Sequence, residues 1–337
     1  MHTLTLTGAP SLGPLLARGA LLSPCKSLRP PRLTAPSGPR LVLPGVRIDL
    51  ARLAAYERVC GFPTGEDAVP VTYPHVLGFP LAMRIMAARD FPLPLLGLVH
   101  TSIEITRRRQ LAATGEYELT VYVDELAPHR RGTEATVVTE VRDGGGVAWE
   151  SRSTYLARHR TDGTQAVDAR SDGARSDGAR SDGARSDGAR SDGARSDGAR
   201  SGGTRGGGTR GGGGERSRAE RKPLPPVAEW RLGEDVGRRY GTVSGDRNPI
   251  HLHPLAARLF GFPRAIAHGM WTVARCLAEH GTPAAVLVRA EFRAPVPLPS
   301  TVTYGEDGTV GGGFELRGGP PGGQRVHVTG HVHPLAL

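Results

Sequence analysis

Hydrophobic and polar positions follow the same succession in two separate regions of this chain. In the C-terminal region, Gly269 to Glu279 carries Met270, Trp271, Val273, Cys276 and Leu277, with Arg275 as its one charge before the end. The pattern predicts a helix that is apolar on nearly all sides, and such a helix needs burial all round. After it, Ala285 to Phe292, Thr301 to Gly305, Gly313 to Leu316 and Arg325 to Val332 read as strands, connected through Pro295, Pro297, Pro299 and glycine tracts. Earlier in the chain, an apolar stretch from Val76 leads into the extended, β-branched segment Leu98 to Val123. One buried helix with an antiparallel sheet curled around it satisfies both regions and predicts the α+β class.

The two regions form a weak internal repeat. Tyr56-Glu-Arg-Val59-Cys60-Gly61 matches Tyr240-Gly-Thr-Val243-Ser244-Gly245 at a constant offset of 184, and Tyr73-Pro74-His75-Val76 opens an apolar segment as Ile266-Ala267-His268-Gly269 does. A duplicated unit follows, with one domain at 46–160 and the other at 226–337. Between them, from Ala169 onward, the unit Ala-Arg-Ser-Asp-Gly occurs six times and then drifts into Arg-Gly-Gly repeats. A segment with nothing to bury cannot offset the entropy of ordering its backbone, so 161–225 is expected to be a disordered linker. Residues 1–45 have five basic and no acidic side chains but no continuous apolar core of a targeting peptide. Leu4-Thr5-Leu6-Thr7 alternates as a short strand, and the rest of 1–45 reads as an irregular lead-in.

Composition narrows the function classes. Glycine (47) and proline (28) are abundant and only 38% of the 337 residues are hydrophobic, which argues against one core spanning the whole chain. Even the richest apolar stretch, Val76 to Val99, is cut by Arg84, Arg89 and Asp90, so no membrane-spanning run is present. Of the formal net charge of +10, eight units lie outside the two domains: five basic and no acidic residues in 1–45, and 13 basic against 10 acidic in 161–225. A nucleic-acid-binding face on the folded part is therefore not supported, since it would need clustered Lys and Arg. Cys25, Cys60 and Cys276 are odd in number and far apart, which opposes a disulfide framework and points to a reducing cytoplasm.

The densest chemistry lies in Tyr240-Gly-Thr-Val-Ser-Gly-Asp246-Arg-Asn248-Pro249-Ile-His251. Gly245 permits a sharp turn before Asp246, and Pro249 forces Asn248 out of the helical region. Asp246 and His251 are thereby expected on a rigid bend rather than a helix face, where a carboxylate and an imidazole can converge on one water and move its protons.

This run resembles the signature of the MaoC-like dehydratase, or hydratase 2, family, which has Gly-Asp-x-Asn-Pro-hydrophobe-His. The resemblance covers Arg231 to Leu335 well and Val46 to Arg158 weakly. It implies a double hot-dog fold and the addition of water to trans-2-enoyl thioesters giving (R)-3-hydroxyacyl thioesters, or the reverse. It further implies Asp246 and His251 as the catalytic dyad, Asn248 as its hydrogen-bonding support, and the N–H of Gly269 as donor to the thioester oxygen. Tyr240, Ser244 and His268 are candidate substrate contacts. Coenzyme A or acyl carrier protein would carry the acyl group, no metal or organic cofactor is required, and the chain would be a monomeric pseudo-dimer or a homodimer. In the first repeat Phe62, Thr64 and Asp67 stand where Asp246, Asn248 and His251 stand in the second, so that half is expected to be silent and to shape the acyl pocket.

Other readings attach to several residues. A noncatalytic acyl-thioester binder is an alternative, because a fold alone does not prove activity. RNA contact through the Arg/Gly linker is another. His253 could pair with His251 on a metal, but its position before Pro254 fits a helix cap better. His268 also suits a role in fixing the loop before the helix, while His75, Tyr56 and Trp271 read as packing residues. Arg107-Arg108-Arg109 could meet coenzyme phosphates or form a solvated face.

Overall fold

The structure, a computed structural model, describes residues 2–27, 38–159, 222–308, 311–320 and 323–336. The expected linker at 161–225 falls almost wholly outside these residues. Met1–Ala166 and Pro223–Leu337 group into one compact unit.

Each repeat builds its elements in the order strand, helix, central helix, four strands. In the first repeat these are β2 (Arg40–Arg47), α2 (Leu50–Cys60), α3 (Tyr73–Met86), β3 (Leu98–Arg107), β4 (Glu116–His129), β5 (Gly132–Asp143) and β6 (Gly146–Arg158). In the second they are β7 (Pro226–Leu232), α4 (Val236–Ser244), two short helices α5 (Pro249–Leu252) and α6 (Pro254–Leu259), α7 (Gly269–His280), β8 (Val286–Phe292), β9 (Ser300–Glu306), β10 (Gly313–Gly318) and β11 (Arg325–Pro334). The repeated sequence sets the shared helix ends: Gly61 after α2 and Gly245 after α4 both adopt the left-handed conformation, with φ of 84° and 82°.

All strands join one sheet in the order β1-β2-β4-β5-β6-β3-β8-β11-β10-β9-β7, where β1 is Thr3–Thr5 at the edge. Apart from β1 the order is a palindrome about the β3/β8 contact, as duplication of one five-stranded unit requires. Across that seam Ile103 faces Ala290 and Ile105 faces Val288 in antiparallel register. The buried guanidinium of Arg107 reinforces the seam by donating to the carbonyls of Pro283 and Ala284, at 2.7 and 3.0 Å. Arg109 pairs with Asp143 at the surface, and Arg108 is exposed. The triplet is therefore not a uniformly solvated face, because its first member is buried in the seam.

The two halves also meet through their helices. Tyr56 on α2 and Tyr240 on α4, counterparts in the repeat, place their rings 6.0 Å apart. Val59 and Val243 are counterparts too, and each has its carbonyl held by the opposite half: Trp271 Nε1 donates to Val59 at 2.9 Å and Arg52 Nε to Val243 at 2.7 Å. The fold is thus an internally paired double hot dog with both central helices buried. Among the described residues no helix is long and apolar enough to cross a membrane.

The N-terminal lead-in departs from expectation. Its strand forms, pairing in parallel with β2, but Leu12–Ser27 is a 16-residue helix, α1, rather than irregular chain. Leu12, Leu15 and Leu16 fall at helical spacing and pack on the core. Gly13, Gly19, Pro14 and Pro24 mask that signal, because both residue types lower helix propensity. The packing explains Gly19: a Cβ there would lie 2.2 Å from the Leu95 side chain.

Candidate active site

Three polar residues of the second repeat converge behind α4. Gly245 turns the chain, after which the Asp246 N–H donates to Ser244 Oγ at 3.2 Å and the Asn248 N–H donates to Asp246 Oδ1 at 3.2 Å. Asn248 is extended (φ −59°, ψ 124°), as the following proline demands, and its side chain accepts from the Ile250 N–H to cap α5. Its support of Asp246 therefore comes from the backbone. Asp246 sits on the expected bend, but His251 lies in the one-turn helix α5 that Pro249 initiates. His253 does cap α6, accepting from the Leu255 N–H at 3.2 Å.

Ile266 fixes α5 from the side. Its N–H donates to the Ile250 carbonyl at 3.1 Å, and its carbonyl accepts a hydrogen bond from His251 Nδ1 at 2.8 Å. Since a carbonyl can only accept, Nδ1 carries the hydrogen and Nε2 is the bare, basic nitrogen. Burial lowers the His251 pKa, opposed by the nearby Asp246 carboxylate and the Ile266 carbonyl. The ring is therefore neutral at ordinary pH.

His268 completes the cluster. Its ring stacks on His251 with centroids 3.7 Å apart, and Nε2 donates to the Asp246 main-chain carbonyl at 2.9 Å. Desolvation, followed by the neighbouring His251, pulls its pKa down to about 3. Sequence reading offered His268 as a substrate contact or a loop anchor; it is joined to Asp246 and His251, with polar atoms of all three within 4.8 Å of one another. That spacing raises a metal, yet stacked rings send their in-plane lone pairs along nearly parallel planes rather than to a common point.

The remaining candidates lie around this cluster. Tyr240 is buried with its ring 4.9 Å from His268. Ser244 donates to the Tyr240 carbonyl at 2.8 Å and accepts from Asp246, so its hydroxyl is committed to the turn rather than free for a ligand. Gly269 opens α7, where the first N–H groups have no helical partner and the helix dipole favours negative charge. A Cβ at Gly269 would lie 2.9 Å from the Phe292 ring.

In the first repeat the equivalent loop has lost this chemistry. Phe62 stacks on Tyr56 at 6.4 Å, and Asp67 accepts from the Thr114 N–H at 3.1 Å. Burial lowers the pKa of His75 and raises that of Tyr155 in this half, and in both the Asp246 carboxylate of the second repeat is a smaller influence. Two surface grooves, one of about 410 Å³ beside Arg58, Trp230 and Arg239 and one of about 470 Å³ beside Pro297 and His327, do not include the cluster.

The architecture and the Asp246/His251/His268 cluster define a hot-dog protein with one furnished site per pair of repeats. Residues 216–306 match the family model described as MaoC like domain. The chain is 34% identical over 294 residues to 3-hydroxyacyl-thioester dehydratase X of Mycobacterium tuberculosis, covering 86% of each. It is also similar to the crystal structure of HtdX from that organism, with a TM-score of 0.64, 31% identity, and coverage of 88% of this chain and 100% of the other. A MaoC-like dehydratase from Phytophthora capsici shares the fold at a TM-score of 0.56 and 18% identity, with 90% and 98% of the chains covered. The chain belongs to the MaoC-like dehydratase family and is a hydro-lyase.

Proposed function

We propose that the chain interconverts (R)-3-hydroxyacyl thioesters and trans-2-enoyl thioesters, with Asp246 and His251 holding the water that is added or released. The observation that carries this reading is the tautomer of His251: Nδ1–H is spent on the Ile266 carbonyl, so the basic nitrogen is the free one, beside Asp246. In hydration the water oxygen bonds to C3, the dyad takes the departing proton, and electron density moves onto the thioester oxygen. The Gly269 N–H at the start of α7 would receive that charge, a role supported by its position at a helix N-terminus. A proton delivered to C2 then completes the addition. In other enzymes one oxyanion donor is worth roughly 3 kcal/mol and a general acid–base group about 10²–10⁴-fold.

The acyl group arrives on coenzyme A or acyl carrier protein, and the reaction draws on no metal or organic cofactor. Internal pairing of the repeats supplies a complete sheet within one chain, so the unit works as a monomer or as a dimer of pseudo-dimers. Cys60 and Cys276 are free and buried, in keeping with a cytoplasmic setting. The test is the loss of conjugated-thioester absorbance with purified protein. Turnover of trans-2-enoyl thioesters giving the (R)-3-hydroxy product supports the assignment, whereas tight acyl-thioester binding without turnover would replace it with a binding role.

A further inference from the structure

The link between α5 and Ile266 carries an apolar knob. Leu255, Leu259 and Phe260, on α6 and at its end, are 62%, 86% and 40% exposed, and among the described residues only four other large hydrophobic side chains are exposed. Single exposed hydrophobes are ordinary, but three within one short turn form a patch. The local fold holds them outward. Ala257 is fully buried and anchors α6: its N–H donates to the His253 carbonyl at 3.0 Å, and its carbonyl accepts from the Phe260 and Phe262 N–H groups at 3.0 Å each. At about 100° per residue, Leu255 and Leu259 fall on the face opposite Ala257. Gly261 then turns the chain with φ 83°, and a Cβ added there would meet nothing within 4 Å, so the turn projects into open space.

Around the knob the charge has one sign. Arg247, Arg258 and Arg264 are exposed, none of the three has an ion-pair partner among the described residues, and no Asp or Glu occurs from residue 247 to residue 278. Asp246 and Glu279, which bound that stretch, face His268 and Arg275 instead. Arg258 Nε reaches the Pro263 carbonyl at 3.4 Å, which keeps its guanidinium over the same turn. Outward leucine and phenylalanine with arginine at their margin suit a lipid surface, where the apolar side chains leave water and the cations meet anionic headgroups.

Shape and charge select among occupants. A second copy docked about a two-fold axis would crowd like charges into one contact. A folded acidic protein would need a pocket ready for three projecting side chains, whereas the acyl chains of a bilayer part around them. The knob is also joined directly to the candidate site, because His253 closes α5 and caps α6, and three residues separate His251 from Leu255.

We infer that the α6 knob is a peripheral lipid-docking element, in which Leu255, Leu259 and Phe260 enter the acyl-chain boundary of an anionic bilayer and Arg247, Arg258 and Arg264 contact its phosphates. This goes beyond the catalytic reading and requires no membrane-spanning helix. The experiment is sedimentation of the full chain with vesicles of phosphatidylcholine, alone or mixed with phosphatidylglycerol. Binding to the mixed vesicles is expected to exceed binding to the neutral ones by about tenfold or more. The double variant Leu255→Ser, Leu259→Ser should bind the mixed vesicles about tenfold more weakly, with an unchanged circular dichroism spectrum because both side chains are exposed. Arg258→Gln together with Arg264→Gln should erase the preference for anionic lipid. The basic residues of 1–45 and 161–225 remain in every variant, so undiminished binding by the leucine variant would place the contact there and overturn the inference. Insertion has its own readout: over the background of Trp149, Trp230 and Trp271, the added emission of Leu259→Trp should be quenched by mixed vesicles whose acyl chains are brominated. No binding to either vesicle, or no quenching, sinks the inference. So does a dimer that becomes a monomer in the leucine variant by light scattering, which would make the knob a contact between copies.

Discussion

His251 and His268 lie face to face with centroids 3.7 Å apart and 27° between planes, and they hold opposite tautomers. The first donates a hydrogen bond from Nδ1–H to the Ile266 carbonyl and the second from Nε2–H to the Asp246 carbonyl. Two main-chain oxygens thereby decide which nitrogen of each ring is basic.

We propose His268 as a positioning residue, since its Nε2–H donates to the main-chain carbonyl of Asp246. Replacement by Phe preserves the stacking but removes the N–H, leaving a carbonyl without its donor. Loss of about 1–3 kcal/mol in urea unfolding is expected, together with a fall in kcat larger than any change in KM. A rise in KM with kcat intact would show instead that His268 binds substrate.

The proposed dyad of Asp246 and His251 makes a sharper demand. Asp246→Asn keeps an oxygen for the Asn248 N–H, and His251→Gln keeps a donor for the Ile266 carbonyl, so both are expected to fold. Each should lower kcat by about 10²–10⁴-fold. Near wild-type turnover in either variant, with an unchanged circular dichroism spectrum, would remove that residue from the mechanism.

Helix packing holds His251 at close range. A Cβ on Gly237 would lie 1.9 Å from the His251 carbonyl oxygen, which is backbone and cannot swing aside. Gly237→Ala is therefore expected to push α5 away from α4, at a cost of about 1–3 kcal/mol, and to depress kcat although residue 237 touches no substrate. Gly269→Ala, whose nearest neighbours are side-chain ring atoms of Phe292 rather than backbone, should destabilise less. Thermal melts of the two variants settle the order.

Acid should unfold this protein through its buried histidines. His75, His100 and His268 have folded-state pKa values of about 4, 3 and 3 against an ordinary 6.5. Between those limits the unfolded chain binds protons that the folded chain refuses, so stability is full above pH 6.5 and falls as pH drops towards 4. Each histidine contributes up to about 1.4 kcal/mol per pH unit in that window. Urea titrations at stepped pH should show the decline, and His75→Phe should make it shallower. With His251 as the proposed base, its lowered pKa is expected to put the acid limb of kcat/KM below pH 6.5.

Much of the architecture is written in local pattern. The offset of 184 between Tyr56 and Tyr240 announces the duplication, and the structure shows those two rings in contact. The strand spans read from alternation agree with β8 to β11 to within about two residues at either end, and the apolar run from Gly269 is the buried helix α7. Leu12–Ser27 escaped notice because its glycines and prolines obscure a leucine stripe whose value lies in what it packs against.

The sequence by itself determined the repeat, the class of fold, and the short run from Tyr240 to His251 in which Asp246 and His251 are near neighbours. These are properties of φ/ψ preference and periodicity, which act over a few residues. Only the tertiary structure brought His268 onto His251 from the far side of α6, and set His75, His100 and Tyr155 of the other half behind Phe292. Periodicity tells a side chain whether it faces inward; what it meets there depends on how a palindromic sheet closes about β3 and β8, a relation between residues nearly two hundred positions apart.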